Sequence, residues 1–321
     1  MDLTKETSVA FGAVRDAMNY CLHVQQSLIT SSLAKDDRSP VTIADFGAQA
    51  IICRAIQKAF PNDSILAEEH ATQVMRDGEM GRQLVAAIHA GYDPVTAPDL
   101  ETICSWIDAG RGDSAARQWI VDPVDGTKGF LRREQYAIAL ALRIDGQIKV
   151  GVLGCPNLPA HNGQIGCTFY ATARGGAVEM PLGGEPRSLR VSRDAELVLA
   201  ESVESGHTDH DRHAAIAARL KITRPSIRMD SQAKYAIVAR GDASAYLRLP
   251  NPKTPDYREN VWDHAAGYLI ITEAGGRVTD AAGKDLDFSQ GPKLINNRGI
   301  VATNGHCHTA VLEAVARASC P

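Results

Sequence analysis

The stretch from Trp119 to Phe130, Trp-Ile-Val-Asp-Pro-Val-Asp-Gly-Thr-Lys-Gly-Phe, constrains this chain more than any other part of the sequence. It places Asp122 and Asp125 three residues apart, where an apolar strand is expected to end at a proline. Two carboxylates about 4 Å apart repel by about 4 kcal/mol at an effective dielectric of about 20, so the pair needs a counter-charge. Hard divalent cations such as Mg²⁺ prefer carboxylate and carbonyl oxygens. The motif therefore predicts a metal site.

The residues that follow predict a phosphate site beside the metal. Gly126 and Thr127 lie at a predicted helix start, where free backbone N–H groups and the helix dipole favour an anion. A metal next to a phosphate indicates phosphoester chemistry. The structural alternative is a proline-centred turn that carries two solvated aspartates.

Composition narrows the class of protein. The chain has 321 residues, enough for two ordinary domains, with 44% apolar and 22% charged residues. Its net charge of −4 excludes a general attraction for nucleic acid or for an anionic membrane, so phosphate binding must be local. The first 14 residues contain no continuous apolar segment, and the seven cysteines form no C-x-x-C pair. We expect a cytoplasmic monomer with reduced thiols that acts on a small molecule, with neither nucleic acid nor membrane as a partner.

Hydrophobic periodicity predicts an α/β fold in two parts. Residues 1–182 should form a helix pair on a mostly antiparallel sheet, and residues 183–321 should form an α/β half after the break at Pro181–Pro186. Thr42 and Asp45 have the form of a capping box at the start of the second helix. The predicted helices are 4–30, a segment after Pro40, 81–90, 98–109, 211–220, 231–240 and 261–274, and the predicted strands are 65–67, 119–121, 136–144, 147–154, 168–173, 197–200, 245–249 and 299–303.

Several segments, taken together and in order, resemble the inositol monophosphatase superfamily. They are Pro40–Asp45, Ala67–Glu69, Asp122–Thr127 and Trp262-Asp263, and the resemblance runs from about residue 8 to residue 305. It implies a layered αβαβα sandwich and a Mg²⁺-dependent, lithium-sensitive phosphatase. Further segments resemble the 3′(2′),5′-bisphosphate nucleotidase branch, and the separation of Glu68 from Asp122 (122 − 68 = 54 residues) favours that branch. These segments are 122–131 with Glu134-Gln135, 154–157, 230–235, 246–250 and 262–267.

The resemblance also implies roles for individual residues. It implies two or three Mg²⁺ ions held by Glu68, Asp122, the carbonyl of Val124, Asp125 and Asp263. Asp45 and Thr127, together with Glu68, would form the catalytic group that orients or deprotonates the attacking water. The implied substrate contacts are Gly126, Thr127, His207, Ser231, Lys234, Arg248 and Asp263.

Considered singly, most of these residues also fit an ordinary structural role. Asp45 fits a helix cap, Glu68 a surface charge at a strand end, and Asp263 a carboxylate that compensates a helix dipole. Lys234 and Arg248 fit solvated surface charges. The histidines at 207, 210 and 213 fan over too wide an arc for a compact zinc site, so we expect an exposed polar stretch there.

The implied reaction is hydrolysis of the 3′-phosphate of adenosine 3′,5′-bisphosphate to AMP, with the sulfated analogue as a second substrate. Two alternatives remain open: a phosphatase of inositol phosphates, and a catalytically silent protein that senses the nucleotide. Two departures from the family pattern concern the site itself. His70 replaces a small hydroxyl residue, and about two extra residues lie within Pro252–Arg258.

Overall fold

A long helix pair covers one face of the first sheet. The structure is a computed structural model that describes residues 1–32, 39–193, 196–203, 210–251, 253–254 and 256–318. Helix α1 spans Thr4–Ser32 and α2 spans Ser39–Ala59, so both predicted helices are confirmed. Because α2 begins at Ser39, Thr42 and Asp45 lie inside the helix, and the predicted capping box is wrong.

The first sheet contains seven strands in the order β1-β2-β3-β4-β5-β6-β7. Strands β1 and β2 are parallel and all other neighbours are antiparallel, which confirms the predicted mostly antiparallel sheet. Three helices lie between β1 and β2, in the region where the sequence predicts two. The elements are β1 Ser64–Ala67, α3 Thr72–Arg76, α4 Gly78–Gly91, α5 Leu100–Asp108, β2 Arg117–Asp125, α6 Thr127–Arg132, β3 Ala137–Ile144, β4 Gln147–Pro159, β5 Ile165–Thr172, β6 Gly176–Pro181 and β7 Arg187–Ser188.

The second sheet has five strands in the order β11-β12-β10-β8-β9, and helices alternate with its strands as predicted. Strand β8 pairs in parallel with both β10 and β9, whereas β12 is antiparallel to its neighbours. The elements are β8 Leu199–Glu201, α7 His210–Arg219, β9 Ile227–Arg228, α8 Ala233–Arg240, β10 Ala245–Arg248, α9 Ala265–Glu273, β11 Arg277–Thr279, β12 Ile300–Thr303 and α10 His308–Arg317.

Three hydrophobic clusters fill the spaces between the layers of helices and sheets. The first joins α1 and α2 to the first sheet, the second places α8 and α9 between the two sheets, and the third packs α7 and α10 on the outer face of the second sheet. The layers are thus a helix pair, a sheet, a second helix pair, a second sheet and a third helix pair, which is the predicted αβαβα sandwich. The middle cluster takes residues from both halves of the chain, and β7 lies after residue 182, so the domain boundary at 182 stays a prediction. Among the described helices, none combines the length and apolarity needed to cross a membrane.

Candidate active site

A cavity of about 360 Å³ lies at the carboxyl end of β2, beside the segments that precede α8 and α9. It brings together nearly all the site residues predicted from the sequence: Glu68, Asp122, Val124, Asp125, Gly126, Thr127, Ser231, Lys234, Arg248 and Asp263. The lining also contains residues for which the sequence predicted no role: Lys128, Ser202, Asp230, Gln232, Tyr246, Tyr257 and Asn260. Three of them, Asp230, Gln232 and Tyr246, lie in segments that resemble the nucleotidase branch. The resemblance could therefore have indicated that these residues belong to the site.

A β-bulge aims Asp122 and Asp125 into the same cavity. Asp122 pairs with Ala139 and Asp125 pairs with Ala137, so β2 takes three steps where β3 takes two. In a regular strand, the side chains of residues three apart point to opposite faces of the sheet. The extra residue of a bulge brings them to the same face. The expectation that the strand ends at Pro123 is therefore wrong. The strand continues to Asp125, and the bulge places two acidic side chains on one side of it.

Glu68 reaches the cavity because β1 and β2 are parallel. Ala67 pairs with Val121, so the next residues, Glu68 and Asp122, leave the carboxyl ends of neighbouring strands side by side. Residues 54 positions apart in the chain thus become neighbours. Asp263 enters from the second half of the chain, two residues before α9, where the helix dipole favours an anion.

The acidic residues raise one another's pKa values. Loss of water on burial, followed by repulsion from Asp263, Glu69 and Asp125, raises the pKa of Glu68 to about 8, although Glu68 remains accessible through the cavity. Burial, followed by repulsion from Glu68, Asp125 and Asp263, raises the pKa of Asp122 well above its usual value. Burial raises the pKa of Asp263 to about 6, against the opposing effects of His264 and Arg248. The protein alone therefore does not supply enough positive charge for this cluster.

The donor set fits a hard divalent cation. Oδ1 of Asp122 is buried, and no hydrogen-bond partner for it is present in the described part of the chain. A carboxylate oxygen without a compensating donor, together with the neighbouring carboxylates and the backbone carbonyl of Val124, offers the oxygen ligands that Mg²⁺ prefers. Glu259, Asp263 and His264 also place ligand atoms within 4.8 Å of one another. Nε of Arg248 lies 2.7 Å from Glu259, however, so that carboxylate already has a cation.

The raised pKa of Glu68 predicts a pH-dependent stability of the metal-free protein. The folded state keeps a proton on Glu68 up to about pH 8, whereas the unfolded chain loses it near pH 4.5. The contribution of Glu68 to the free energy of unfolding therefore falls as the pH rises from 4.5 through about 8. In EDTA, Glu68→Gln should raise the melting temperature by several degrees at pH 8 and by little at pH 5, as measured by calorimetry.

The control for this measurement is Glu101→Gln, at an exposed position in the first turn of α5. This variant should change the melting temperature equally at both pH values. A melting temperature of Glu68→Gln that is lower than that of the wild type at pH 8 would contradict the electrostatic argument.

Of the predicted catalytic pair, Thr127 lines the cavity and Asp45 does not. Asp45 is half-buried in α2, and burial, Glu69 and Glu68 raise its pKa well above the usual value. It also interacts electrostatically with Asp122, although it is absent from the lining of the cavity. Thr127 is exposed to the cavity as the first residue of α6, after Gly126, whose φ of +90° favours glycine. The predicted helix start is confirmed.

Lys234 and Arg248, which the family resemblance implied as substrate contacts, are withdrawn from the surface. Lys234 is only 3% exposed, and its Nζ donates to the carbonyl of Met229 at 3.1 Å. Burial lowers the pKa of Lys234 to about 8, and Asp125 opposes that effect. Arg248 is half-buried, with Glu259 on one side and Asp263 Oδ2 at 3.9 Å from its Nη2. The interpretation of both residues as solvated surface charges is therefore wrong.

A strained turn ties the second half of the chain to Asp125. Ser231 has a φ of +69°, which a non-glycine residue seldom adopts. The following N–H, that of Gln232, donates to Oδ2 of Asp125 at 2.6 Å, and the Gln232 side chain donates to the carbonyl of Trp262. The strain at Ser231 thus accompanies a contact that fixes Asp125 relative to the segment of Asp263.

The structure describes only part of the histidine series at positions 207, 210 and 213. His207 lies outside the described residues. His213, on α7, is 1% exposed and its Nδ1 lies 3.5 Å from Glu201, so the expected exposed polar stretch is wrong at this position. His70 is exposed, and it lines an open depression that adjoins the cavity at Glu68.

Comparison with known proteins supports the fold and identifies the family. The sequence profile of the inositol monophosphatase family matches residues 2–319. The chain is 41% identical to a 3′(2′),5′-bisphosphate nucleotidase of Emericella nidulans, over 98% of each chain. It is 38% identical to 3′,5′-bisphosphate nucleotidase 2 of Arabidopsis thaliana, over 98% of this chain and 97% of the relative. A solved inositol monophosphatase from Anabaena shares the fold, with a TM-score of 0.63 and 22% identity over 99% and 97% of the two chains.

Proposed function

The chain belongs to the inositol monophosphatase family, and we propose that its cavity hydrolyses the 3′-phosphate of adenosine 3′,5′-bisphosphate to give AMP and phosphate. One observation carries this proposal: a single cavity presents a carboxylate cluster together with the cations Lys234 and Arg248. The cluster suits a metal and the reacting phosphate, whereas the cations suit a second phosphate on the same molecule. The relatives named as bisphosphate nucleotidases support this substrate class.

We propose that Glu68, Asp122, Asp125, Asp263 and the carbonyl of Val124 hold two or three Mg²⁺ ions. When bound, Mg²⁺ neutralises charge on the phosphoryl group and lowers the pKa of water. The protein's own contribution is geometric. The bulge in β2, the parallel register of β1 and β2, and the hydrogen bond from Gln232 to Asp125 hold the carboxylates in place before substrate binds.

We propose that Thr127 and Asp45 handle the proton of the attacking water. The Thr127 hydroxyl takes the proton of that water as it passes its own proton to the Asp45 carboxylate, so Thr127 stays neutral and Asp45 ends protonated. A raised pKa makes Asp45 a better base than an exposed aspartate, which suits this role. We also propose that the backbone of Gly126 contacts the reacting phosphate. Glycine suits this position because its φ is positive and a side chain here would lie close to Ser231.

A substrate panel tests the proposed function. Purified protein with Mg²⁺ should release phosphate from adenosine 3′,5′-bisphosphate faster than from inositol 1-phosphate or an inositol bisphosphate. A reversed order would favour the inositol phosphate alternative. Nucleotide binding by calorimetry without phosphate release, while a known phosphatase is active in the same buffer, would favour the silent sensor.

We also expect Li⁺ to inhibit the reaction. Li⁺ prefers oxygen ligands and carries one charge, so it can occupy part of the carboxylate cluster without supplying the charge of Mg²⁺. Phosphate release should fall as LiCl rises through the millimolar range, with KCl as the control for ionic strength. Equal rates in the two salts would contradict this expectation.

Three further proposals follow from the same function. The sulfated analogue of the nucleotide should be a second substrate, because the sulfate would lie at the end of the molecule away from the reacting 3′-phosphate. We propose a cytoplasmic location, because all the described cysteines are free thiols and the cytosol keeps thiols reduced. We also propose that the protein acts as a monomer.

A further inference from the structure

Tyr257 forms part of the cavity rim, close to the proposed phosphate anchor. The residue is 49% exposed and lines the cavity, although it lies in the segment between β10 and α9 where the sequence departs from the family pattern. Nη2 of Arg248 donates to the Tyr257 hydroxyl oxygen at 3.4 Å. The hydroxyl is thus directed toward the guanidinium that the proposed function assigns to a phosphate.

The surroundings of the Tyr257 ring favour a planar partner. Nζ of Lys293 lies 5.6 Å from the ring centroid and also donates to Oδ1 of Asn260. This cation and the hydroxyl contact hold the ring at the rim, while half of the residue remains accessible. An aromatic side chain that is fixed but accessible at a cavity mouth offers its face to a ligand at little cost in conformational entropy.

We propose that Tyr257 is the stacking surface for the purine base of the substrate, an inference that rests on the function proposed above. A nucleotide whose phosphate contacts Arg248 lies beside the ring that the same arginine contacts. Stacking on an aromatic side chain contributes to binding for any base, because every base has a π-face. An inositol phosphate has no planar ring and would gain nothing from this contact. Tyr257 therefore favours nucleotides over inositol phosphates.

The test compares two substrates that differ only in the base. They are adenosine 3′,5′-bisphosphate and its abasic analogue, in which hydrogen replaces adenine at C1′. We expect Tyr257→Ala to lower the ratio of kcat/KM for the nucleotide to that for the abasic ester by about tenfold, mainly through KM. Tyr257→Phe keeps the ring and should restore most of the ratio. The matched control is Ile295→Ala, because Ile295 is 51% exposed nearby and is absent from the lining of the cavity.

Each of the contrary results overturns the inference and points to a different explanation. An unchanged ratio in Tyr257→Ala means that the base lies elsewhere. An equal loss with both substrates, or Tyr257→Phe behaving like Tyr257→Ala, means that the hydroxyl acts on the phosphate through Arg248. Wild-type protein that hydrolyses neither ester refutes the proposed function itself. Folding is checked by the melting temperature of each variant.

Discussion

Replacing Asp125 with asparagine is expected to lower kcat by about 10³-fold or more, with the fold retained. The substitution removes a negative charge from the proposed metal ligands without changing the volume of the side chain. An asparagine carbonyl oxygen can still accept the hydrogen bond that Gln232 N donates to Asp125 at 2.6 Å. Because the cluster loses one of its mutually repelling charges, the metal-free variant should melt at the same temperature as the wild type or higher. Phosphate release and calorimetry in EDTA measure the two effects.

The matched control for Asp125→Asn is Asp145→Asn. Asp145 is exposed at the turn between β3 and β4 in the same sheet, with a φ of +50°, which asparagine tolerates. This variant should keep wild-type activity and stability. If Asp125→Asn retained a tenth of the wild-type kcat, Asp125 would not be a metal ligand, and a lower melting temperature in EDTA would make its role structural.

Lys234→Met is expected to lower kcat/KM for the bisphosphate by about 100-fold, mainly through a higher KM. A hydrogen bond to a charged group is among the stronger contacts available in a partly buried site. Lys234 is also close enough to Asp125 and Arg248 for both to influence its pKa. Methionine has a similar length and no charge to desolvate, so the variant should fold normally.

Adenosine 3′-monophosphate separates a substrate-binding role of Lys234 from a structural one. This ester lacks the 5′-phosphate, so Lys234→Met should reduce its hydrolysis far less than that of the bisphosphate. Lys58→Met, at an exposed position near the end of α2, controls for the loss of a positive charge. Equal losses with both esters would show that Lys234 does not contact the 5′-phosphate.

Much of the fold and most members of the site could be predicted from the sequence. Periodicity located the helix pair and the strands, because burial of one face imposes a repeat that the residues display. The paired aspartates beside Pro123 indicated a metal because two carboxylates held close together need a counter-charge. The errors occurred where a local pattern has several structural meanings. Thr42 and Asp45 match a capping box, yet the helix begins before them, and His213 belongs to a polar run, yet it is buried.

The sequence by itself determined which residues were available for metal and phosphate chemistry, and the tertiary structure decided which of them meet. The bulge in β2 is set by pairing with β3, and Glu68 approaches Asp122 only because β1 lies parallel to β2. Lys234 is buried because α8 packs between two sheets that come from distant parts of the chain. Local sequence carries side-chain chemistry and periodicity, whereas strand register and layer packing depend on contacts between distant residues. The convergence of charge in the cavity is therefore a property of the folded chain.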